Sequence, residues 1–553
     1  MRRLAFLYLF AGGGVLYAQV PFIFYRGVVN AASSMAAGLP SGGVARGSMF
    51  AIYGRNLGPA VSPPLSFPLQ NNLGGVTVTV TQGNTVVNAI PVFVSPGQIN
   101  AIMPSNAPLG MVSLRIAVNN ALSNRAPVRV VNSSFGIFTF TGTGLGPGAV
   151  LNFISPGNEP FNSLNAVAQP GQFATLYGTG LGPITAPDNL APPIANLPTR
   201  TEVFVGGRPA TVSYSGRSGC CSGMDQIVFQ VPPDAPAGCW VPVSVRTEGS
   251  IVSNFVTMAI GANAGACSEP SNPMAAALLS GGRTAMFLAA RFALSQDIAV
   301  PQPADTTSDF LGGFLAQETA GPFNFNPGFS LPPPGTCTAY ARIGNFPQDE
   351  PLLPGMAPAQ GLRAGATTFT GQRGARNLRE TAYAGIVAAL LGSAFPRIAQ
   401  LANTLLLDPG AFTLSSAVGP DVGQFQGQLE VAQPFTWTNR DQTREVTRSQ
   451  GFTVTWNGVA NGHTVFVTGG GADLPSNATA TFLCVAPAGA NRLTVPADVL
   501  ANIPPTRPRL VQSLGAVYVG QWRLPSPVQF SAPGLDAGLL LSAHVHGKSV
   551  TFR

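Results

Sequence analysis

Charge is what this chain has least of. Of its 553 residues only 9% are Asp, Glu, Lys or Arg, against about 25% in an ordinary soluble domain. The 29 basic and 22 acidic residues leave a formal charge of +7, a thin surplus over such a length. No Lys/Arg run and no basic stripe interleaved with aromatics occurs, so the electrostatic footprint of a nucleic-acid-binding protein is missing. Histidine is scarce, with three residues in all. There is no His-Glu-x-x-His helix, no Gly-x-Ser-x-Gly elbow and no Cys-x-x-Cys pair. Those absences remove the common signatures of zinc peptidases, serine hydrolases and thiolate zinc sites. Beyond the N-terminus no apolar stretch approaches the about 20 residues that a spanning helix needs; the best, 383–394, is too short.

What the chain has in plenty is turn residues and apolar residues: 65 Gly, 51 Pro and 45% hydrophobic. Disorder needs a low apolar content, so many turns between short apolar strands is the reading that fits. Period-two alternation recurs at 76–81, 112–118, 202–205, 227–231 and 240–246. It returns at 428–431, 452–456, 464–468, 479–485 and 517–522. Short alternating segments closed by turns are the mark of a β-sandwich.

The chain also repeats itself. Residues 44–59, VARGSMFAIYGRNLGP, return at 168–183 as AQPGQFATLYGTGLGP. Gly47, Tyr53, Gly54, Leu57, Gly58 and Pro59 recur 124 positions later as Gly171, Tyr177, Gly178, Leu181, Gly182 and Pro183. QINAIMPSNAPLG (98–110) returns as QIVFQVPPDAPAG (226–238), and Ser123-Asn124 as Ser253-Asn254. The offset drifts from 124 to 128 and 130, as it does when loops take insertions and strands do not. The expected architecture is therefore all-β: tandem immunoglobulin-like sandwiches at 28–131 and 150–260, with Tyr53 and Tyr177 in equivalent places. A mainly-β region follows at 275–553, sandwich-like from about 407. Three stretches depart from the strand pattern. Residues 274–299 read as a helix pair broken at Gly281-Gly282 or as a strand, 345–375 as a long loop, and 378–406 has the best helical composition.

The N-terminus has the form of an export signal. Arg2-Arg3 precedes an apolar stretch at 4–16, and Leu16-Tyr17-Ala18 offers a cleavage site, so 1–18 is read as a signal peptide. A retained anchor is the alternative, but Gly12-Gly13-Gly14 interrupts a stretch already short for spanning. Six cysteines suit the oxidising compartment beyond. Cys337 is expected to pair with Cys484, and Cys220 or Cys221 with Cys239, while Cys267 completes the set. Cys220-Cys221 sit on an insertion: Phe93 to Gln98 spans five positions, but Tyr214 to Gln226 spans twelve.

YGRNLGP, LGGVTVTV (73–80) and SPGQINAIMP (95–104) resemble a family of secreted, mostly acidobacterial proteins whose repeated domain is related to the IPT/TIG immunoglobulin-like fold. PPPGTCTAY (332–340), FTWTN (435–439), VTRSQGFTVTW (446–456) and GLDAG (534–538) resemble the tail domain of such proteins. The resemblance implies export and a sandwich fold. It supplies no catalytic residue, because none is established for that family.

Apparent motifs dissolve on inspection. Gly547-Lys548-Ser549 resembles the end of a phosphate loop, but Ser542 stands where Gly is needed and four residues follow. Gly144-x-Gly146-x-x-Ala149 contains Pro147 and runs into strand-like sequence. His544 and His546 share a strand face with Ser542 and Lys548, expected to be the wet one. Two imidazoles, with His463 81 positions away, fall short of a catalytic zinc site. Trp437, Trp456 and Trp522 are the candidates for ligand-facing rings, set against packing between sheets. The reading is an exported, non-catalytic binding, adhesion or scaffolding protein without a cofactor, its partner an extracellular polysaccharide or another surface protein. A secreted carbohydrate-active hydrolase with its site after residue 275 is the alternative, and an outer-membrane barrel a third.

Overall fold

The computed structural model describes residues 20–270, 272–295, 306–343, 360–381, 385–392, 405–473, 475–507, 513–523 and 527–553. The signal segment 1–18 lies outside them. Strands dominate throughout.

The duplicated sequence makes two copies of one sandwich. In the first, hydrogen-bonded neighbours run Phe22–Asn30, Met49–Arg55, Gln98–Ile102, Thr85–Val94, Val76–Gln82, Gly110–Val118 and Ala126–Val131. In the second they run Gly136–Ile137, Phe173–Thr179, Asp225–Gln230, Arg208–Arg217, Thr201–Val205 and Gly238–Thr247, with Val256–Ile260 beside the last. Registers coincide as well: Tyr53 stands opposite Gln98, and Tyr177 opposite Gln226. One strand in each copy bends from one sheet into the other. Its register shifts between Pro91 and Phe93 in the first, and between Val212 and Tyr214 in the second. Alternation builds the cores. Val76, Val78 and Val80 are buried while Thr77, Thr79 and Thr81 face outward, because successive strand side chains take opposite faces.

The repeated Ser-Asn has a structural cause. The Ile23 N–H donates to Asn124 Oδ1 (2.8 Å), and Asn124 Nδ2 donates back to the Ile23 carbonyl (3.1 Å). Ile137 and Asn254 make the same two bonds at 2.8 and 3.0 Å. Beside them Ser123 and Ser253 each accept a strand N–H, from Ile116 and Val245. Each pair staples the opening strand of its sandwich to the hairpin near its end.

Residues 274–295 hold one helix and then a strand, so the second helix of the expected pair is not formed, and 296–299 lie outside the described residues. Helix Met274–Ser280 ends at Gly281, whose φ of 73° makes the left-handed cap, and strand Arg283–Leu294 follows. That strand joins a large open sheet. Its order is Cys337–Ile343, Ala478–Val485, Thr464–Asp473, Ser513–Trp522, Ala537–Ser549, Arg283–Leu294, Thr306–Gln317, Ile386–Gly392 and Arg379–Glu380. The helical expectation for 378–406 is overturned where it is described: Ile386–Gly392 pairs with Thr306–Gln317 instead. Pairing along a formed sheet edge outweighs helix propensity, a weak preference. The loop expected at 345–375 holds strand Thr367–Gly371; 344–359 lie outside the described residues. Two small sheets cover the large one. Thr367–Gly371, Gly410–Ser416 and Phe425–Val431 cover one half, and Thr436–Trp437, Phe452–Asn457 and Arg492–Val495 the other. The second of these cores also takes Met35, Ala36 and Leu39 from the first repeat and Val252 and Phe255 from the second.

Three disulfides are present: Cys337–Cys484, Cys239–Cys267 and Cys220–Cys221. The first joins directly opposed residues of neighbouring strands. The expected bond from Cys220 or Cys221 to Cys239 is not made. Cys239 opens strand Gly238–Thr247 in a core shared with helix Met274–Ser280, whereas the inserted loop turns to the first repeat.

Candidate functional site

The sequence candidates turn out to be structural. Trp437 and Trp456 are directly opposed across two strands and 3% exposed each. Their indole N–H groups donate to Asn439 Oδ1 and the Ala490 carbonyl, both at 2.9 Å, so neither ring faces a ligand. Trp522 is half-buried against Phe466, with ring centroids 4.4 Å apart. The cover sheet over this half of the molecule encloses the first two, which alternation alone could not reveal.

The face of Ala537–Ser549 that carries His544 and His546 is not wet. A chain segment crosses over it, and the face pins that segment by its carbonyls. Ser542 donates to Glu430 O (3.0 Å), His546 Nε2 to Phe435 O (2.9 Å) and Lys548 to Arg440 O (2.8 Å). From the next strand Gln521 donates to Gln433 O (2.6 Å). A carbonyl only accepts, so His546 carries its proton on Nε2. Burial, then His546 and Arg291, pushes the His544 imidazole down to about 4. The connection between the two cover sheets, 431–436, is thereby fixed.

Buried acids are engaged too. Asp309 accepts Arg291 (2.8 and 3.0 Å) and the N–H groups of Leu406 and Leu407 (2.6 and 2.8 Å). Asp225 accepts the N–H groups of Gly180 and Leu181 and pairs with Arg217. Arg217 donates onward to Gly182 O (2.6 Å) and to Gly47 O (2.9 Å) of the first repeat. The inserted loop thus locks one sandwich to the other. Met49 N–H donates to Thr179 Oγ1 at the same seam. Among the described residues no cluster of three His, Cys, Asp or Glu could hold a metal ion.

One surface stands apart. On the sheet of the second repeat that includes Phe173–Thr179, Ala174, Leu176 and Val150 face the core. The outward positions form rows across the strands. One row is Thr211, Gln230, Phe173 and Phe153, the last placed by its N–H bond to Phe173 O (2.9 Å). The next is Tyr214, Val228, Thr175, Leu151 and Phe161. Gln226 and Tyr177 lead the third. Phe153, Phe161 and Phe173 are 40%, 45% and 42% exposed. Phe140 packs edge-on to Phe161 at 5.0 Å and stacks on Phe323 at 3.7 Å. Burial, then Glu159, raises the Tyr177 phenol. Three half-exposed phenylalanines on neighbouring segments make this face the candidate site.

The first repeat offers less of the same face, although Phe93, in the row of Asn100 and Ala51, is 40% exposed. Its Ala51 and Ile102, in the matching rows, are 1% and 0% exposed. Gly47 and Gly171 occupy the same turn with φ of 68° and 82°. A Cβ on Gly47 would strike Arg217, while one on Gly171 would meet open space. The second repeat covers the first and leaves its own corresponding end bare. The phenylalanines were missed in the sequence, where tryptophan drew attention. The signal was present in FATLYGT (173–179), where the aromatics Phe173 and Tyr177 fall in phase with the outward set and Ala174, Leu176 and Gly178 with the core.

No family model matches the chain, and no curated protein does. Solved structures that are similar include the Bacteroides ovatus SGBP-B of a mixed-linkage glucan utilization locus, in complex with a heptasaccharide. It is 9% identical, covers 80% of this chain and 91% of its own, and gives a TM-score of 0.15. The SGBP-B of a complex xyloglucan utilization locus in Bacteroides uniformis is 12% identical over 70% and 88%, with a TM-score of 0.17. The Gamma-CGTase of alkalophilic Bacillus clarkii is 12% identical over 70% and 36%, with a TM-score of 0.15. Likeness this slight carries no argument about function, and the all-β fold stands on the strands described above.

Proposed function

We propose that this is an exported, non-catalytic binding protein that holds an extracellular polysaccharide on the outward face of its second repeat. The observation that carries the reading is the set of exposed rings, Phe153, Phe161 and Phe173, in two neighbouring rows of one sheet face beside half-exposed Thr175, Gln226 and Gln230. Flat rings offer an apolar platform to the C–H face of a pyranose, and amides and hydroxyls can meet its hydroxyl groups. Three disulfides suit an oxidising exterior. The rigid seam made by Arg217 suits a protein that presents a surface rather than closes around a substrate. Affinity electrophoresis of the purified chain through gels containing a panel of polysaccharides tests the reading. At least one polymer should retard it, and Phe153→Ala with Phe173→Ala should restore free migration. Retardation unchanged in that double variant, or release of reducing sugar from the retarding polymer, would refute it.

A further inference from the structure

The face carries more than a general reading, because its chemistry is one-sided. Along the strands Phe173–Thr179, Asp225–Gln230 and Arg208–Arg217, the outward positions in the three rows are aromatic, aliphatic, hydroxyl or amide. None is Lys or Arg. Arg217 and Asp225, at adjoining ends of two of these strands, are paired inside the seam with side chains 2% and 0% exposed. At the far end of the sheet Arg208 is paired with Asp234 at 3.3 Å. The charge that does reach the face is negative. Glu159 is exposed on the turn between Leu151 and Phe161, close enough to Tyr177 to oppose ionisation of its phenol.

A polymer bearing uronate, sulfate or phosphate needs cations at the places where its anions fall. Without them it must shed hydration uncompensated, beside a carboxylate of its own sign. A neutral polymer asks for nothing that the face lacks. Resting on the reading above, we infer that the ligand is an uncharged polysaccharide, bound across the strands by ring stacking and by amide and hydroxyl hydrogen bonds. The longer row crosses five chain segments, about 19 Å at the usual strand spacing, so it receives several sugar units of a chain rather than one terminal sugar.

Such binding is insensitive to salt, since screening acts on charge and not on stacking. The test uses the full chain and two sets of probes. The neutral set is mixed-linkage β-glucan, xyloglucan, galactomannan and amylose. The anionic set is polygalacturonate, alginate and dextran sulfate. Titration calorimetry at 20 mM and 500 mM NaCl should find a neutral polymer bound with an affinity that changes less than twofold between the two. Phe173→Ala and Phe161→Ala should each weaken it at least tenfold, and Glu159→Gln should leave it within twofold. Near-UV circular dichroism of each variant reports its fold, and Tyr177→Phe supplies an independent probe should an alanine variant misfold. Binding confined to the anionic set and lost in Phe173→Ala would overturn neutrality while sparing the polysaccharide reading. Binding of neither set, or capture of a protein instead, would overturn both. Neutral binding that survives every variant would move the site elsewhere and overturn the inference.

Discussion

Asn124 and Asn254 do one job 130 positions apart. Each closes both backbone groups of an isoleucine on the opening strand, Asn254 in a buried setting and Asn124 from an exposed position. Asn254→Ala should cost about 1–3 kcal/mol, the usual penalty for orphaned buried polar groups, and Asn124→Ala, at an exposed position, about 0.5–1.5 kcal/mol. Urea titration measures both, and a loss under about 0.5 kcal/mol at either site would deny the staple. At the seam, Arg217→Met strands a buried carboxylate, and a cost of about 3–5 kcal/mol is expected. His544 gives a pH signature. Its folded pKa of about 4 lies below the ordinary imidazole value of 6.5. Above pH 6.5 it is neutral whether folded or not, and stability is complete. Between 6.5 and 4 the unfolded chain binds the proton and the folded one does not, so stability falls with falling pH, by about 3 kcal/mol in all. The stability advantage of the wild type over His544→Gln should shrink from pH 7 to pH 4.5; an advantage that grows would contradict the assignment.

At the scale of elements, the bridges separate into two kinds. Cys337–Cys484 and Cys239–Cys267 join residues 147 and 28 positions apart, and loops of that length are worth about 3–5 kcal/mol in the chain-entropy model. Cys220–Cys221 joins neighbours and constrains almost nothing in the unfolded chain. Replacing Cys337 and Cys484 by Ala should therefore lower the unfolding midpoint well below that of a Cys220→Ser, Cys221→Ser protein. Equal losses would show that the adjacent bridge acts on the folded seam. Strands were legible in the sequence wherever one face met a core, as in VTVTVT. They were illegible where both faces are covered. The segment beginning at Ile386 looked helical for another reason: it is apolar without alternation, and residues 386–389 lie half-buried in pairing with Thr306–Gln317. The polar face of Ala537–Ser549 looked solvated because nothing local to Ser542, His544 or Lys548 records that residues 430–440 cross above them.

Across the whole molecule the duplication was legible because both copies preserve the same turns and registers, so the echo survives in residues such as Tyr53 and Tyr177. Their unequal fates were not, since an insertion in one copy does not announce what it covers. Because that loop closes the first copy and leaves the second open, binding should saturate at one short-oligosaccharide site per chain; two equal sites in calorimetry would contradict the seam. Lys548 carries a last consequence. It is the only lysine of the 553 residues, it is 5% exposed, and its ammonium is held by the Arg440 carbonyl. Apart from the α-amino group, the folded protein offers no amine to solution. Acylating dyes, aldehyde fixatives and lysine-directed cross-linkers should pass it by until it unfolds, which makes Lys548 a built-in reporter of global opening.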